Sequence, residues 1–362
     1  MPVSQESIEA AIGSVEDPYL GTDLVTAETV KSVNVDGNSV HIEIELGFPV
    51  KRYASDLERS LLAPIAELDS NLDVTFDIHS KIVARTVQHG VKRLPEVRNI
   101  IAVASGKGGV GKSTTATNLA IALHDEGANV AILDADIYGP SQPRMLGAQG
   151  KPASLDGKSM EPIVSYGIQS MSIGNLIEED TPMIWRGPMV TGALEQLLND
   201  TNWKDVDYLI IDLPPGTGDI QLTLCQKIPV SGAVIVTTPQ DIALLDARKA
   251  LKMFEKVDVP VFGVIENMSV HICTNCGNED HIFGEGGGDS MAQQYGVDLL
   301  GKLPLDTQIR AGMDSGRPTV ALLPESRTSD MYREISRHLG AKLALRSKDY
   351  SAKFPNIVVQ NT

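Results

Sequence analysis

The sequence predicts an α/β protein, in which a doubly wound, mostly parallel sheet is preceded by a small α+β domain. From residue 99 onward, short apolar runs alternate with helical stretches, as expected of strands that crossover helices bury on both faces. The first of these runs leads directly into a glycine-rich loop and a helix, the order of a phosphate-binding unit. Nearer the N-terminus, two runs with period-two alternation flank a short polar turn, which indicates a hairpin.

Residues 1–90 are expected to form the small domain, and residues 91–98 the linker that follows it. Asp-Gly-Asn joins the two hairpin strands, and the second helix carries leucine and isoleucine on one face, as in a helix that packs on a sheet. The domain has no cysteine and no evident catalytic motif. Its predicted elements are a helix at 4–15, strands at 29–35 and 39–46, a helix at 54–68 and a strand at 72–78.

Residues 99–347 are expected to form the larger domain, and the polar residues 348–362 a loose tail. Ligands of doubly wound sheets bind beyond the carboxyl ends of the strands. Polar residues that end a strand are therefore the candidates for chemistry. The predicted strands are 99–105, 129–133, 168–173, 207–212, 232–238, 261–266 and 298–303.

Length, net charge and cysteine content limit the classes of protein to which this chain can belong. A chain of 362 residues is expected to hold about two domains. Its formal net charge of −16 argues against a general binder of nucleic acid or of anionic membranes. The three cysteines suit a reducing compartment. The first residues do not form a signal peptide, and no apolar run is long enough to span a membrane, so we expect a cytoplasmic protein.

The glycine-rich loop fits the phosphate-binding pattern G-x-x-x-x-G-K-[ST], between a predicted strand and a helix predicted at 114–126. Glycines permit positive φ and let backbone N–H groups approach an anion closely. Lys112 would contact the β- and γ-phosphates and the Ser113 hydroxyl a Mg²⁺ ion; a glycine-rich turn without a ligand is the alternative. The predicted nucleotide-binding residues of the loop are Gly106, Lys107, Gly108, Gly109, Val110, Gly111, Lys112, Ser113 and Thr114.

Lys107 is a second lysine within this loop. Because the loop amides would face the phosphates, its side chain should project away from its own site. A cation in that position could complete the nucleotide site of a facing subunit, as an arginine finger does. A solvated lysine is the alternative.

Three carboxylates follow apolar strands. Asp134 and Asp136 enter a Gly-Pro loop, where a switch region would sense the γ-phosphate. We assign Asp136 to orienting or deprotonating the attacking water and Asp134 to the Mg²⁺ shell; a helix N-cap at Asp136 is the alternative. Asp212 would also hold Mg²⁺, and the N–H of Gly216, in the proline-containing loop that follows, would meet the γ-phosphate.

Asn267 also ends a strand on the ligand side of the sheet. Its amide could pair with the donor and acceptor edges of adenine, or it could cap a turn. The cluster at 185–189, Trp-Arg-Gly-Pro-Met, indicates no chemistry, and we expect it to shape a subunit contact.

Cys273 and Cys276 form a C-x-x-C pair near His271 and His281. Thiolates at this spacing bind zinc or an iron–sulfur cluster, or carry out redox chemistry. One chain could complete a zinc site with the two histidines, or two chains of a symmetric dimer could hold a [4Fe–4S] cluster with four thiolates. A redox or structural pair is the third alternative. Cys225 lies in an apolar helical stretch and is expected to be an inert core thiol.

The chain resembles the Mrp/ApbC family of iron–sulfur cluster carrier ATPases, of the deviant-Walker class that includes the nitrogenase iron protein and MinD. The similarity covers about residues 95–345, and residues 1–90 resemble the small iron–sulfur-assembly-associated domain often fused ahead of it, although the cysteine often found there is missing. Four motifs carry the resemblance, in order Gly-Lys-Gly-Gly-Val-Gly-Lys-Ser-Thr, Asp-Ala-Asp-Ile-Tyr-Gly-Pro-Ser, Asp-Leu-Pro-Pro-Gly-Thr-Gly-Asp and Cys-x-x-Cys.

The resemblance implies a homodimer that binds and hydrolyses ATP with Mg²⁺, using Lys112 and Asp136 in catalysis and Lys107 across the interface. It also implies a [4Fe–4S] cluster bridging the subunits on Cys273 and Cys276. The leading hypothesis is a carrier that receives a cluster from an assembly scaffold and passes it to apo-proteins, without nucleic-acid or membrane partners. The alternatives are a MinD/ParA-like positioning ATPase, which would need a basic amphipathic C-terminal helix or a basic patch, and a zinc-clamped structural dimer.

Overall fold

Two helices and a three-stranded sheet make up most of the N-terminal part of the chain. The computed structural model describes residues 3–88, 90–176, 187–273 and 275–347. The first elements are α1 (Gln5–Gly13), β1 (Glu16–Asp17), β2 (Thr22–Asp23), β3 (Val30–Asp36), β4 (Ser39–Leu46), α2 (Ala54–Leu68) and β5 (Asp73–Ser80). Strands β3 and β4 form the predicted antiparallel hairpin, and β5 pairs with β4 in parallel.

One side of each helix and alternate residues of β4 form the core of this unit. The spacing explains the packing, because residues four apart share a face of a helix and residues two apart share a face of a strand. The sheet therefore buries one face under α1 and α2. The central buried residues are Ile8, Ile12, Val40, Ile42, Ile44, Leu57, Leu61 and Ile65.

Beyond this unit, strands and helices alternate as the sequence predicts. The first half contains β6 (Val97–Ala104), α3 (Lys112–Asp125), β7 (Val130–Asp134), α4 (Gln142–Met145), β8 (Ile163–Ser165), β9 (Ile168–Ser172), a 3₁₀ turn (Ile173–Asn175), α5 (Gly187–Asn199) and β10 (Val206–Asp212). The second half contains α6 (Asp219–Lys227), β11 (Gly232–Thr237), α7 (Asp241–Lys256), β12 (Val261–Glu266), β13 (His271–Ile272), β14 (Glu279–Asp280), α8 (Gly287–Tyr295), β15 (Leu299–Lys302), α9 (Thr307–Asp314), α10 (Thr319–Leu322) and α11 (Arg327–Ala344).

Eight strands form the central sheet in the order β15-β12-β11-β6-β10-β7-β9-β8. All neighbours are parallel except β8, which pairs with β9 in an antiparallel hairpin, so the predicted mostly parallel sheet is confirmed. Strand β8 was not predicted from the sequence. It is only three residues long, and its turn uses Tyr166 (φ 50°) and Gly167 (φ 77°); positive φ at both central turn residues is typical of tight hairpins.

Strand β6 shows how the sheet is buried on both sides. Ile100, Ala102 and Ala104 face the core formed with α5, α6 and α7. Ile101 and Val103 face the core formed with α3 and α11. Because successive side chains of a strand point to opposite faces, a continuous apolar run is what a strand between two helical layers requires.

Strand β6 begins at Val97, two residues before the strand predicted at 99–105. Arg98 explains the difference, because it is a charged residue within a strand. Its guanidinium donates to Asp205 at 2.7 Å and to Asp207 at 2.8 Å. A charged residue whose hydrogen bonds are made at the edge of a sheet interrupts the apolar run from which the strand is predicted.

Two predictions concern residues outside the described ranges: the subunit contact at Trp185 and Arg186, and the loose tail at 348–362. Of the part of the chain that the structure describes, no helix is both long and apolar enough to cross a bilayer.

Candidate functional site

The glycine-rich loop between β6 and α3 has the backbone of a phosphate-binding loop. Gly109 (φ 82°) and Gly111 (φ 85°) both have positive φ, which favours glycine. A Cβ at Gly111 would lie 2.1 Å from Asn267 Nδ2, and one at Gly106 would lie 2.0 Å from the backbone of Asp246 in α7. The loop then leads into the N-terminus of α3, where free backbone N–H groups favour an anion.

Lys112 is buried at the base of this loop. Its ammonium donates to the Asp212 carboxylate, and its Nζ lies 3.2 Å from Ser113 Oγ. The Lys112 side chain is 6% exposed and that of Asp212 is 0% exposed. Strands β6 and β10 are neighbours, so the loop and Asp212 meet at the carboxyl edge of the sheet, and Thr114 follows in the first turn of α3. The structure thus brings Lys112, Ser113 and Asp212 together.

Asp134 is fully buried at the end of β7 and orders the loop that follows. Its carboxylate accepts hydrogen bonds from the N–H groups of Asp136 (3.1 Å), Ser141 (2.9 Å) and Gln142 (3.0 Å) and from the Ser172 hydroxyl (3.1 Å). Burial, and then the nearby Asp212, raise its pKa to about 7 in spite of these donors. The predicted Mg²⁺ role of Asp134 stays a prediction beside this ordering role.

Asp136 lies half-buried in the same loop. Burial is the main cause that raises the pKa of its carboxylate, and the neighbouring Lys112 opposes it. In the described residues the next helix after Asp136 is α4, whose N-cap is Ser141, so the alternative that Asp136 caps a helix is wrong. Its predicted role toward the attacking water stays a prediction.

Gln142 is a site residue that the sequence analysis missed. Its Nε2 donates to Asp212 Oδ2 (2.9 Å) and to the Ser113 carbonyl (3.2 Å), and its Oε1 accepts from the Thr117 hydroxyl (2.7 Å). Its backbone N–H also donates to Asp134. Gln142 therefore connects the end of β7, the start of α3 and the end of β10. No motif marks it, because its main partner is distant in sequence and only the fold brings the two together.

The loop after β10 lies against the glycine-rich loop. Gly216 has φ 102°, and its N–H donates to the Ser105 carbonyl at 2.9 Å. The Gln221 side chain in α6 donates to the Pro215 carbonyl at 2.6 Å, which fixes the proline-containing turn. The predicted contact of the Gly216 N–H with a γ-phosphate stays a prediction.

Asn267 and Lys107 take contrasting positions. Asn267 is buried, and its Nδ2 donates to the carbonyl of Val110 in the glycine-rich loop at 2.9 Å. It therefore caps a carbonyl, in line with the alternative, and its contact with adenine stays a prediction.

Lys107 has an exposed side chain, and its carbonyl accepts a hydrogen bond from the Ser105 hydroxyl at 2.9 Å. Its role across an interface stays a prediction.

The cysteine pair lies at the tip of a small hairpin made by β13 and β14. The Cys273 N–H donates to the Asn278 carbonyl at 2.9 Å, and the Gly277 N–H donates to the Cys273 carbonyl at 2.8 Å. Cys273 is half-buried and Cys276 exposed. The N–H groups of Asn275 and Cys276, followed by the Cys276 thiol, lower the pKa of the Cys273 thiol. The hairpin therefore presents two thiols, one of which favours the thiolate.

The two nearby histidines are not grouped with the cysteines as metal ligands in the described residues. His271 Nδ1 lies 3.0 Å from the Leu305 carbonyl, and His281 Nδ1 lies 2.9 Å from the Ser269 carbonyl. Within residues 3–88, 90–176, 187–273 and 275–347, no group of three or more His, Cys, Asp or Glu could hold a metal ion. The described chain thus does not form the single-chain zinc site offered as an alternative. Cys225 is buried, which raises the pKa of its thiol to about 12, as expected of an inert thiol.

The chain is similar to known proteins along most of its length. Residues 96–340 match the model of the NUBPL iron-transfer P-loop NTPase family, and residues 5–76 match that of an iron–sulfur cluster assembly protein. The chain is 47% identical over 337 residues to the iron–sulfur cluster carrier protein of Escherichia coli K12, across 93% of this chain and 91% of that protein. It is 50% identical over 254 residues to the mouse iron–sulfur cluster transfer protein NUBPL, across 70% of this chain and 80% of that one.

Solved structures agree with the fold. A nucleotide-binding protein from Archaeoglobus fulgidus, in complex with ADP, is 37% identical with a TM-score of 0.57, across 66% of this chain and 93% of that one. The MinD cell division ATPase of Pyrococcus furiosus is 22% identical with a TM-score of 0.51, across 67% and 98%, which supports the fold alone. As the sequence motifs indicated, the chain belongs to the NUBPL family of iron-transfer P-loop NTPases.

Proposed function

We propose that this protein is an ATP-hydrolysing iron–sulfur cluster carrier, which holds a [4Fe–4S] cluster between two subunits and passes it to apo-proteins. The observation that carries the proposal is the hairpin that holds Cys273, which is half-buried, beside the exposed Cys276. Two thiols are half of a four-thiolate set, and a two-fold axis would bring a second hairpin against the first. The relatives named as cluster carriers support this function.

The cysteine hairpin suits a cargo that must be released. The lowered pKa of Cys273 increases its thiolate fraction near neutral pH, and the thiolate is the form that ligates iron. Cys276 is exposed, so the thiolates of a client protein could reach the cluster and replace the carrier's ligands. A buried cluster site would hold its cargo more firmly but would hinder this exchange.

The residues around Lys112 fit ATP with Mg²⁺. The Ser113 hydroxyl and the Asp212 carboxylate are oxygen ligands of the kind that Mg²⁺ prefers, and both lie beside Lys112. They would hold the ion, with Asp134 behind them, and Mg²⁺ would neutralise charge on the β- and γ-phosphates. Lys112 would exchange Asp212 for phosphate oxygens, so its buried charge would stay paired.

Hydrolysis would use Asp136 and Lys107. The raised pKa of Asp136 brings its carboxylate closer to the range in which a general base is effective. The exposed side chain of Lys107 would reach the phosphates bound by a facing subunit and stabilise charge there, as arginine fingers do. Dimerisation would thus complete the nucleotide sites and the cluster site together.

A short segment would link the two sites. Asn267 contacts the glycine-rich loop through the Val110 carbonyl, and residues 267–273 lead from there to the cysteine hairpin. On the other side of the loop, the Gly216 N–H would leave the Ser105 carbonyl to meet a γ-phosphate. A change in nucleotide would therefore act on the loop that Asn267 holds.

The domain division predicted from the sequence remains our proposal: residues 1–90, a linker at 91–98 and an ATPase domain at 99–347. The two family models match separate parts of the chain, which supports it. The proposed partners are an assembly scaffold and apo-protein clients. We propose the cytoplasm as the compartment, because reducing conditions keep the cysteine pair as thiols.

The test is anaerobic reconstitution of the Cys273→Ser/Cys276→Ser variant with iron and sulfide. The wild type should gain visible absorbance, with about four iron and four sulfide per dimer, and should transfer the cluster to an apo-ferredoxin. The double variant should do neither, yet bind ATP as the wild type does. The control is Cys225→Ala, which removes the buried thiol and should still load the cluster.

A double variant that still gains the cluster absorbance would show that the ligands lie elsewhere. Zinc in place of iron in the anaerobically purified wild type would support the zinc-clamped dimer instead.

A further inference from the structure

A cavity of about 490 Å³ lies beside the nucleotide loops, between the loop after β10, α6, α7 and α8. Four cationic residues of α7 line it, namely Arg248, Lys249, Lys252 and Lys256, against one carboxylate, Asp219 of α6. Three of them, at positions 248, 252 and 256, are spaced four apart and share one helix face. The volume falls within the range of ordinary ligand sites. We call this cavity, with its lining residues, the basic pocket.

The cations of the basic pocket are available to a ligand. Lys249 and Lys252 pair with residues three positions away on α7, Asp246 at 2.8 Å and Glu255 at 2.7 Å. The two lysine side chains are exposed, and ion pairs of this kind are weak. In the part of the chain that the structure describes, Arg248 Nε is buried without a hydrogen-bond partner. The chain as a whole carries a net charge of −16, so this concentration of positive charge is local.

The pocket also has an apolar surface. Leu222, Met253 and Tyr295 line it beside the cations, and Met253 is buried. The Lys252 ammonium lies 5.4 Å from the centre of the Tyr295 ring, a cation–π distance that holds the lysine at the pocket. A ligand that fits must therefore offer both negative charge and an apolar group.

We propose that the basic pocket binds an acidic peptide segment of a partner protein, in which carboxylates flank an apolar side chain. The carboxylates would meet Arg248, Lys249 and Lys256, and the apolar side chain would pack on Leu222 and Met253. Nucleic acid fits less well, because its backbone needs a longer basic track than one pocket offers. The proposal concerns partner binding and does not depend on the cluster or on hydrolysis.

The test measures anisotropy of a fluorescein-labelled peptide, Glu-Glu-Leu-Phe-Glu-Glu, with the full chain at low salt. The peptide should bind, and a matched Gln-Gln-Leu-Phe-Gln-Gln peptide should bind at least about five-fold more weakly, because the charges are lost. The variant Arg248→Glu/Lys256→Glu should weaken binding of the acidic peptide about ten-fold or more.

The control variant Lys151→Glu/Lys158→Glu changes the net charge equally, at exposed lysines outside the pocket. It should keep the affinity of the wild type for the acidic peptide. Cluster loading and the thermal midpoint of the pocket variant should match the wild type, which separates this test from that of the proposed function. If the Arg248→Glu/Lys256→Glu variant fails to fold, the milder Arg248→Gln/Lys256→Gln variant takes its place in the test.

Three results would overturn the proposal. Equal weakening in the control variant would show that only overall charge matters. Tighter binding of a labelled DNA duplex than of the acidic peptide, lost in the pocket variant, would assign the pocket to nucleic acid. A change of oligomeric state in the pocket variant, with no peptide binding by the wild type, would mean that a second copy of the chain covers the pocket.

Discussion

The Lys112 ammonium and the Asp212 carboxylate form a buried ion pair that joins the start of α3 to the end of β10. Gln142 donates to the second oxygen of the same carboxylate at 2.9 Å. A charge buried to this degree needs a partner, and a phosphate is the natural substitute because it offers the same anionic oxygens. The ion pair is thus part of a site prepared for an anion.

Replacing Lys112 with alanine should greatly weaken nucleotide binding. Hydrogen bonds to charged groups contribute about 1.5–3 kcal/mol, so the affinity for a fluorescent ATP analogue should fall by about 10- to 150-fold. Fluorescence titration with Mg²⁺ present would measure this. Lys158→Ala, at an exposed lysine outside the site, is the control. Binding retained by Lys112→Ala would remove this lysine from the nucleotide site.

Lys107→Ala should separate binding from hydrolysis. Because its side chain is exposed and takes no part in the buried Lys112–Asp212 pair, ATP affinity should change little. The turnover number should fall by about 1,000-fold if the lysine acts across the interface as arginine fingers do. Steady-state phosphate release would measure the rate, with Lys158→Ala again as the control. An unaltered rate would leave Lys107 as a solvated side chain.

Gln142→Leu should slow hydrolysis and destabilise the fold. The substitution removes the hydrogen bond that Gln142 donates to one buried Asp212 oxygen, at a cost of about 1–3 kcal/mol. The Thr117 hydroxyl keeps its hydrogen bond to the Ser113 carbonyl at 2.8 Å. Gln142→Glu should be worse, since a second carboxylate would face Asp212. Phosphate release and urea unfolding would report both effects. The control is Gln169→Leu on β9, whose side-chain amide hydrogen-bonds the backbone of Lys204, outside the site. Equal effects of the two leucine variants would argue against a site role for Gln142.

The sequence predicted the glycine-rich loop, Asp134, Asp212 and the parallel sheet because local patterns encode them. A loop must supply positive φ at Gly109 and Gly111, and a strand between helical layers must be apolar. Gln142 could not be predicted, since it depends on a partner that only the fold brings near. A capping role for Asn267 was one of two alternatives, but its partner, the Val110 carbonyl, is also set by the fold. The short strand β8 was missed for a related reason, because three residues are too few to show a period.

Asp134→Asn should change how stability depends on pH. The pKa of Asp134 rises from 3.8 to about 7 on folding, so the folded state binds the proton more tightly, and this stabilisation is lost as the pH rises from about 4 to about 7. The unfolding free energy of the wild type should therefore fall relative to that of Asp134→Asn across this window. Urea unfolding at several pH values would measure the difference.

Glu45→Gln provides a contrast of opposite sign. Its partner Lys81 lowers the pKa of Glu45, so the stability that this pair contributes is present above the ordinary pKa and is lost on acidification. The wild type should lose stability relative to Glu45→Gln only in acid. If the Asp134→Asn curve ran parallel to that of the wild type between about pH 4 and pH 7, Asp134 would not retain its proton in the folded state.

Arg337→Met should weaken the contact between the N-terminal unit and α3. The fully buried Glu126, at the C-terminal end of α3, accepts hydrogen bonds from the Arg337 guanidinium and from the Arg52 N–H at 2.9 Å. Arg337 also lies over the Tyr53 ring, 5.3 Å from its centre. Removing it leaves a buried carboxylate without its charge partner, which costs about 3–5 kcal/mol.

Arg310→Met is the matched control for Arg337→Met. Its pair with Asp314, at 3.0 Å, is exposed on both sides, so its loss should cost no more than about 1 kcal/mol. Adding Glu126→Gln to Arg337→Met should recover part of the lost stability, because the unpaired charge is then removed. Equal urea midpoints for the two single variants would show that the Glu126–Arg337 pair does not stabilise the contact. A recovery in the double variant would identify the buried charge, rather than lost packing, as the cause.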